Sequence, residues 1–395
     1  MASAVEPVRL AIVVPTRNRA RMAIRSVESV LASGLRDDRV GVLVSDNSTD
    51  PRESELLDRF VAGVGRGVTL VRPPSPLPMT AHWNFALDRA LERAEHTHVT
   101  FLTDRMLVRT QRIRQVVDTL AAFPDELVSY AYDRIDDVRR PVLYRPLPRS
   151  GGVFRIESAT LLAMSARMAF PSCLPRMLNS VAPRRHLDAM KARFGAVFSS
   201  LSPDFCFCYR SLGMRASILF FDRSVLVTYG FDRSNGNSFA RGVMTRDSND
   251  YVKEEAFGED SFITPYPEFL TIGNGVSHEY LVAARESGDP RFGPLALADY
   301  QRMLATEVRK YEDPRQVAAS LARLRQRGWT DPWPAKLKRW RRASVEGAVG
   351  LLARRFDDVG AAIAHAQAHE GPAWPWLPHP ARKLGAKVLE PGRPD

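Results

Sequence analysis

VTFLTDRMLV, Val99–Val108, is an apolar run that turns polar at Asp104-Arg105 and meets a thioether at Met106. Such a run reads as a buried strand delivering polar residues at its carboxyl end. Similar runs stand at Leu10–Val14, Val40–Val44 and Val68–Val71, about thirty residues apart, the length of a strand-helix-strand unit. Between them apolar residues recur at helical spacing: Ile24, Val27, Val30 and Leu31, then Trp83, Leu87, Ala90, Leu91 and Ala94. Buried strands alternating with amphipathic helices predict an α/β fold, a mostly parallel sheet with helices on both faces. No GxGxxG follows any of these strands, so a dinucleotide-binding turn is unsupported.

The polar residues cluster at strand ends. Pro15-Thr16-Arg17-Asn18-Arg19 follows the first strand, Ser45-Asp46-Asn47-Ser48-Thr49-Asp50 the second, and Asp104 the fourth. Parallel strands bring their carboxyl ends to one edge, where ligands of such sheets bind. One turn of this kind is an ordinary helix cap. Three in register predict a site. Its acids suit the donors of a base and ribose, and its arginines suit phosphates.

The bulk composition is that of a globular chain. There are 395 residues, 45% hydrophobic and 26% charged, with a net charge of +11. No stretch approaches the ~18 apolar residues of a spanning helix, and the N-terminus has no signal-peptide pattern. Cys173, Cys206 and Cys208 are an odd number without zinc spacing. They predict buried free thiols and a cytoplasmic setting. The charge reads as a diffuse surface rather than a nucleic-acid footprint. The exception is Trp333–Arg342, WPAKLKRWRR, a basic amphipathic helix that either lies on an anionic membrane or docks on the rest of the chain.

The middle of the chain predicts strands at Leu127–Tyr132 and Val142–Tyr144, a hairpin from Ile218–Phe221 and Val225–Tyr229, and a mobile polar loop over Asp232–Asp250. From Glu279 the chain reads as helical.

The order PTRNR, SDNSTD, TAHWNFALDRA, VTFLTDR resembles the family-2 glycosyltransferases of the GT-A fold, over roughly residues 8 to 230. The resemblance implies a catalytic domain over 8–275 and a helical C-terminal extension over 276–395 that packs on it or forms an oligomer contact. It implies an inverting transfer of a hexosyl or deoxyhexosyl group from a nucleotide-sugar donor to a hydroxyl on a glycan, a lipid-linked or a small-molecule acceptor. Carried over by position, Asp46 contacts the base, with Asn47 beside it. Pro15, Thr16, Arg17 and Asn18 border the nucleotide, Asn84 lines the donor pocket, and Asp104 with Arg105 sits near the ribose and diphosphate. In the family an acid binding Mg²⁺ or Mn²⁺ ends the fourth-strand cluster. Here that position is Met106, and along an extended segment it points the same way as Asp104. A thioether is a poor ligand for a hard cation. No metal site is therefore expected, and the diphosphate charge falls to Arg17, Arg19, Arg105, Arg109, Arg233 or Arg241. A cation held by Asp104 with His278 is the alternative. The general base is Asp204, in Ser202-Pro203-Asp204 at a helix start, where the helix-end field is expected to lower its pKa. The rival readings are a non-catalytic nucleotide-sugar-binding relative and a nucleotidyltransferase. The second lacks its Gly-rich phosphate loop.

Overall fold

A computed structural model describes residues 8–33, 39–65, 67–109, 111–147, 149–199, 201–255, 261–330, 353–370 and 387–389. The basic segment 333–342 lies outside them.

The first half alternates as the sequence predicts. β1 (Leu10–Thr16), α1 (Ala20–Leu31), β2 (Val40–Asp46), α2 (Pro51–Val64), β3 (Val68–Val71), α3 (Met79–Leu91) and β4 (His98–Phe101) follow one another. They build the parallel order β3-β2-β1-β4. β1 is buried along its whole length, as a strand covered on both faces must be. Val27 and Val30 of α1 join the core on one face, and Trp83, Leu87 and Ala90 of α3 the core on the other. α1 and α2, whose Leu57 joins the first core, thus cover one face of the sheet, and α3 covers the other.

β5 (Met106–Val108), α4 (Arg112–Ala122), β6 (Val128–Asp136), β7 (Val142–Arg145), β8 (Val153–Glu157), α5 (Ser158–Ala166), β9 (Ser180–Pro183), α6 (Arg184–Phe194), α7 (Pro203–Met214) and β10 (Ser217–Thr228) follow. Short β9 joins the halves, pairing antiparallel with both β4 and β6. The expected hairpin is instead one strand. β10 runs unbroken through Asp222-Arg223-Ser224 with a shift in register against β6. The shift exists because Asp222 points inward, where its carboxylate accepts from the Ser150 N–H (2.6 Å) and hydroxyl (2.7 Å). The triplet is a bulge, not a turn.

The polar stretch after β10 is not a loop. It folds into α8 (Asn235–Arg241) and α9 (Arg246–Glu254). Ser234 caps the first by accepting from the Asn237 N–H, and Thr245 caps the second by accepting from the Ser248 N–H. The two helices lie over the carboxyl edge of the sheet. α10 (Ile272–Ser287) then packs on α7, sharing a core through Val276, Tyr280 and Ala283. α11 (Leu297–Val308) and α12 (Pro314–Gln326) close a separate cluster around Tyr300, Leu304 and Leu324. The C-terminal part is not only helical. β11 (Arg354–Phe356) pairs with β7, α13 (Val359–Ala368) covers β7, and β12 (Lys387–Leu389) pairs with β8. No helix among the described residues is long and apolar enough to cross a membrane.

Candidate functional site

The carboxyl ends of β1 and β2 lie side by side, with Thr16 in register with Asp46. β4 flanks β1 on the other side, so the turn after it brings Asp104 to the same edge. Here a cavity of about 1260 Å³ opens beneath α8 and α9. That exceeds the roughly 300–1,000 Å³ of an ordinary ligand pocket, and leaves room for two substrates.

Asp104 sits at its floor, buried. Its carboxylate accepts from the Thr16 hydroxyl at 3.2 Å, with Arg19 at 3.7 Å and Arg105 at 4.0 Å. The Met106 N–H donates to the Thr103 carbonyl, closing a turn over 103–106. The extended alternation expected of Asp104 and Met106 therefore does not hold. Met106 starts β5 and packs its thioether into the core while touching the cavity. Arg105 is buried against Phe231. Burial lowers its pKa, and its Nε finds no hydrogen bond among the described residues.

The two turns beside Asp104 are locked to each other by Asn18. It adopts a left-handed φ of 53°, which asparagine tolerates better than most residues. From there its Oδ1 accepts from the Thr49 and Asp50 N–H groups, and its Nδ2 donates to the Thr49 hydroxyl. Asn47 brackets the Leu77 backbone in the same two-sided manner. Pro15, Thr16, Arg17, Asn18, Asn47, Asp104, Arg105 and Asp204 all border the cavity. Asp46 and Asn84 do not. The buried Asp46 carboxylate is spent on the Ser48 N–H (3.0 Å) and the Arg72 guanidinium (2.8 Å). Burial opposes its charge, but these bonds hold its pKa below the usual value. Asn84 spans the Phe198 backbone, donating at 2.6 Å and accepting at 3.1 Å, and so ties α3 to the segment before α7.

Asp204 occupies the first turn of α7, elsewhere on the cavity wall. Its Oδ1 accepts from Ser202 at 3.1 Å, and Arg176 stands 3.9 Å from Oδ2. The expectation of a lowered pKa is reversed. Burial raises it, outweighing Arg176, the Ser202 hydroxyl and the N–H groups of the helix start. The carboxylate is thereby more basic than an exposed one. Around it the wall turns apolar through Leu201, Phe205, Phe262, Leu270 and Ile272.

Several wall residues carry no clear signal in the sequence. Arg176 donates to the Tyr132 hydroxyl at 2.5 Å and lies over the Tyr132 and Phe205 rings. Arg134 lies 3.6 Å over Phe231. His82 meets the Ser45 hydroxyl at 2.8 Å, and burial pushes its pKa down to about 4. It sits within TAHWNF, beside the asparagine that the resemblance favours. Other candidates lie away from the site. Arg109 is buried behind the sheet on Asp133 (2.8 Å), and Arg241 pairs with Glu312 at 2.8 Å. His278 packs on Phe262 and accepts from the Ile263 N–H.

A divalent cation does not fit this corner. Asp104 is the carboxylate of the cluster, and its neighbours are two guanidinium groups and a buried thioether. Among the described residues no group of three or more His, Cys, Asp or Glu side chains is placed to hold a metal.

Among solved structures the chain is similar to S. aureus TarS, at 12% identity and a TM-score of 0.41, covering 78% of this chain and 50% of that one. It thus spans half the length of that protein. It is similar to S. aureus TarS 1–349 in complex with UDP, at 11% identity and a TM-score of 0.43, covering 80% and 87%. It is also similar to the mannosyltransferase PcManGT from Pyrobaculum calidifontis in complex with GDP-Man and Mn²⁺, at 15% identity and a TM-score of 0.43, covering 85% and 80%. No curated protein matches the chain. Residues 11–174 match the family model of glycosyl transferase family 2.

Proposed function

We propose that the protein is an inverting glycosyltransferase that uses a nucleotide-activated sugar. The observation that carries the reading is a single cavity bordered by both the Asp104–Arg105 corner and the buried, basic Asp204. Residues 8–275 form the catalytic domain in this reading, and 276–395 an extension that buttresses it. The donor's nucleoside diphosphate lies along the β1 and β2 turns, with its ribose at Asp104 and its phosphates on Arg17, Arg19 and Arg105. Asp46, Asn18 and Asn84 act as positioning residues, since their polar atoms hold turns and helices rather than face the cavity.

The acceptor hydroxyl lies at Asp204. Its oxygen attacks the anomeric carbon from the face opposite the leaving group, and its proton passes to the Asp204 carboxylate. The bond from the anomeric carbon to the diphosphate oxygen breaks, and the electron pair leaves with the nucleotide. The arginines stabilise the charge that develops there. No step is routed through a metal.

The test is a thermal-shift screen of UDP- and GDP-sugars with and without Mn²⁺, followed by NMR of the product's anomeric centre. A donor that binds the folded state raises its melting temperature by mass action. Inverted product supports the reading. Retained configuration overturns the role of Asp204. Binding without turnover over any acceptor panel leaves a non-catalytic nucleotide-sugar-binding protein.

A further inference from the structure

The arginines best placed for the donor's phosphates already hold anions. Arg17 makes a two-pronged pair with Glu254, at 2.5 and 2.7 Å. Arg19 donates to Asp247 at 2.6 Å. Asp247, Asp250 and Glu254 are spaced three and four residues apart on α9, so they form one acidic stripe along a single helix face. All three border the cavity, as do both arginines. α9 is fixed at its far end as well, where Glu255 accepts from the Thr80 N–H at 2.9 Å and Tyr251 donates to the Leu201 carbonyl. Arg105 differs. It has no partner on α9, and its nearest carboxylate is Asp104 at 4.0 Å.

We infer that α9 is a resident anionic ligand of the donor subsite, and that a donor's phosphates must displace Asp247 from Arg19 and Glu254 from Arg17 in order to bind. The inference rests on the glycosyl-transfer reading. A phosphate that displaces a carboxylate from Arg17 or Arg19 exchanges one charged hydrogen bond for another and gains little. Net attraction comes from Arg105, which the carboxylates leave open. Arg19 and Arg105 flank the same Asp104 oxygen, at 3.7 and 4.0 Å. A phosphate that reaches Arg105 therefore meets Arg19 as well, and must displace Asp247 from it.

The experiment is isothermal titration of the full chain with UDP, UMP, GDP, GMP and inorganic pyrophosphate. It compares the unaltered protein, Glu254→Gln, and the double variant Asp247→Asn/Glu254→Gln. Each lost pair is half-exposed, so the double variant should bind its preferred diphosphate roughly 2- to 30-fold more tightly. The monophosphates and pyrophosphate should gain too, because the carboxylates compete with any phosphate for these arginines. Glu254→Gln alone, which leaves the Arg19 pair in place, should lie between the two. Unchanged or weaker diphosphate binding in both variants, with native circular dichroism, overturns the exchange while leaving the transfer reading intact. Failure of every probe to bind any of the three proteins overturns both.

Discussion

In the proposed mechanism Asp204 must be ionised to act as a base, yet the fold holds it where ionisation is penalised. Its folded pKa is raised, so the native state binds its proton more tightly than the unfolded chain does. Its contribution to stability is present at low pH and is lost as pH rises through the raised value. Asp204→Asn should therefore leave the melting temperature at pH 7 unchanged or higher. Turnover should fall by about 10²–10⁴-fold, the usual weight of general-base catalysis, with donor affinity retained. In the unaltered enzyme the acid limb of the rate profile should lie above the ordinary carboxylate pKa of ~3.9. A normal rate in the Asn variant would remove Asp204 from the chemistry. Met106 makes the second prediction at this scale. With a buried thioether beside Asp104, activity should survive EDTA. Complete loss on chelation, restored by Mn²⁺, would show that other oxygens rebuild a metal site. That these residues gather at one cavity was legible in the sequence because the motifs keep their order. Their orientations were not. Reading 103–106 as extended missed the turn closed by Thr103 and Met106. The ion pair of Asp46 with Arg72 was not legible, because nothing local to SDNSTD points to an arginine just past the next strand.

At the scale of elements, the main surprise is the lid. Asp232–Asp250 has the composition of a loop, and composition is what misleads: Ser234 and Thr245 are caps, not turn formers. Losing a Ser or Thr cap costs about 1 kcal/mol. Thr245→Ala should therefore loosen α9 selectively. Amide exchange over 246–254 should quicken by about fivefold while the global melting temperature holds, because few core residues come from α9. Equal acceleration throughout the sheet would mean that the lid is part of the cooperative core. Two glycines at positive φ, Gly230 at 67° and Gly242 at 65°, stand before and between α8 and α9. At Gly230 an added Cβ would lie 2.6 Å from the Met22 methyl, and its N–H is held by Asp137 at 2.6 Å. The alternating units of the first half were readable because one period, that of strand and helix, governs about a hundred residues. β10 was misread because a buried aspartate inside a strand looks like a turn.

At the scale of the whole molecule, acid should unfold the protein early. His82 and His278 are buried with pKa values pushed down to about 4, and His186 to about 3. Each binds fewer protons folded than unfolded. Their contribution is fully present above about pH 6.5 and is lost as pH falls toward 4, the reverse of the Asp204 effect. Denaturant midpoints should drop steadily between pH 7 and 5. A flat profile would contradict the burial of these rings. The sheet itself carries a last consequence. β8 pairs with β10 on one side, and on the other, among the described residues, β12 covers it, Val388 opposite Phe154 and Leu389 opposite Val153. Nothing in the cavity depends on β12. A chain stopped before Lys387 would thus keep its cleft while baring a row of unpaired N–H and C=O groups, which recruits other strands. Such a chain would clump before it lost its catalytic competence, so this short strand guards the protein's colloidal life rather than its chemistry.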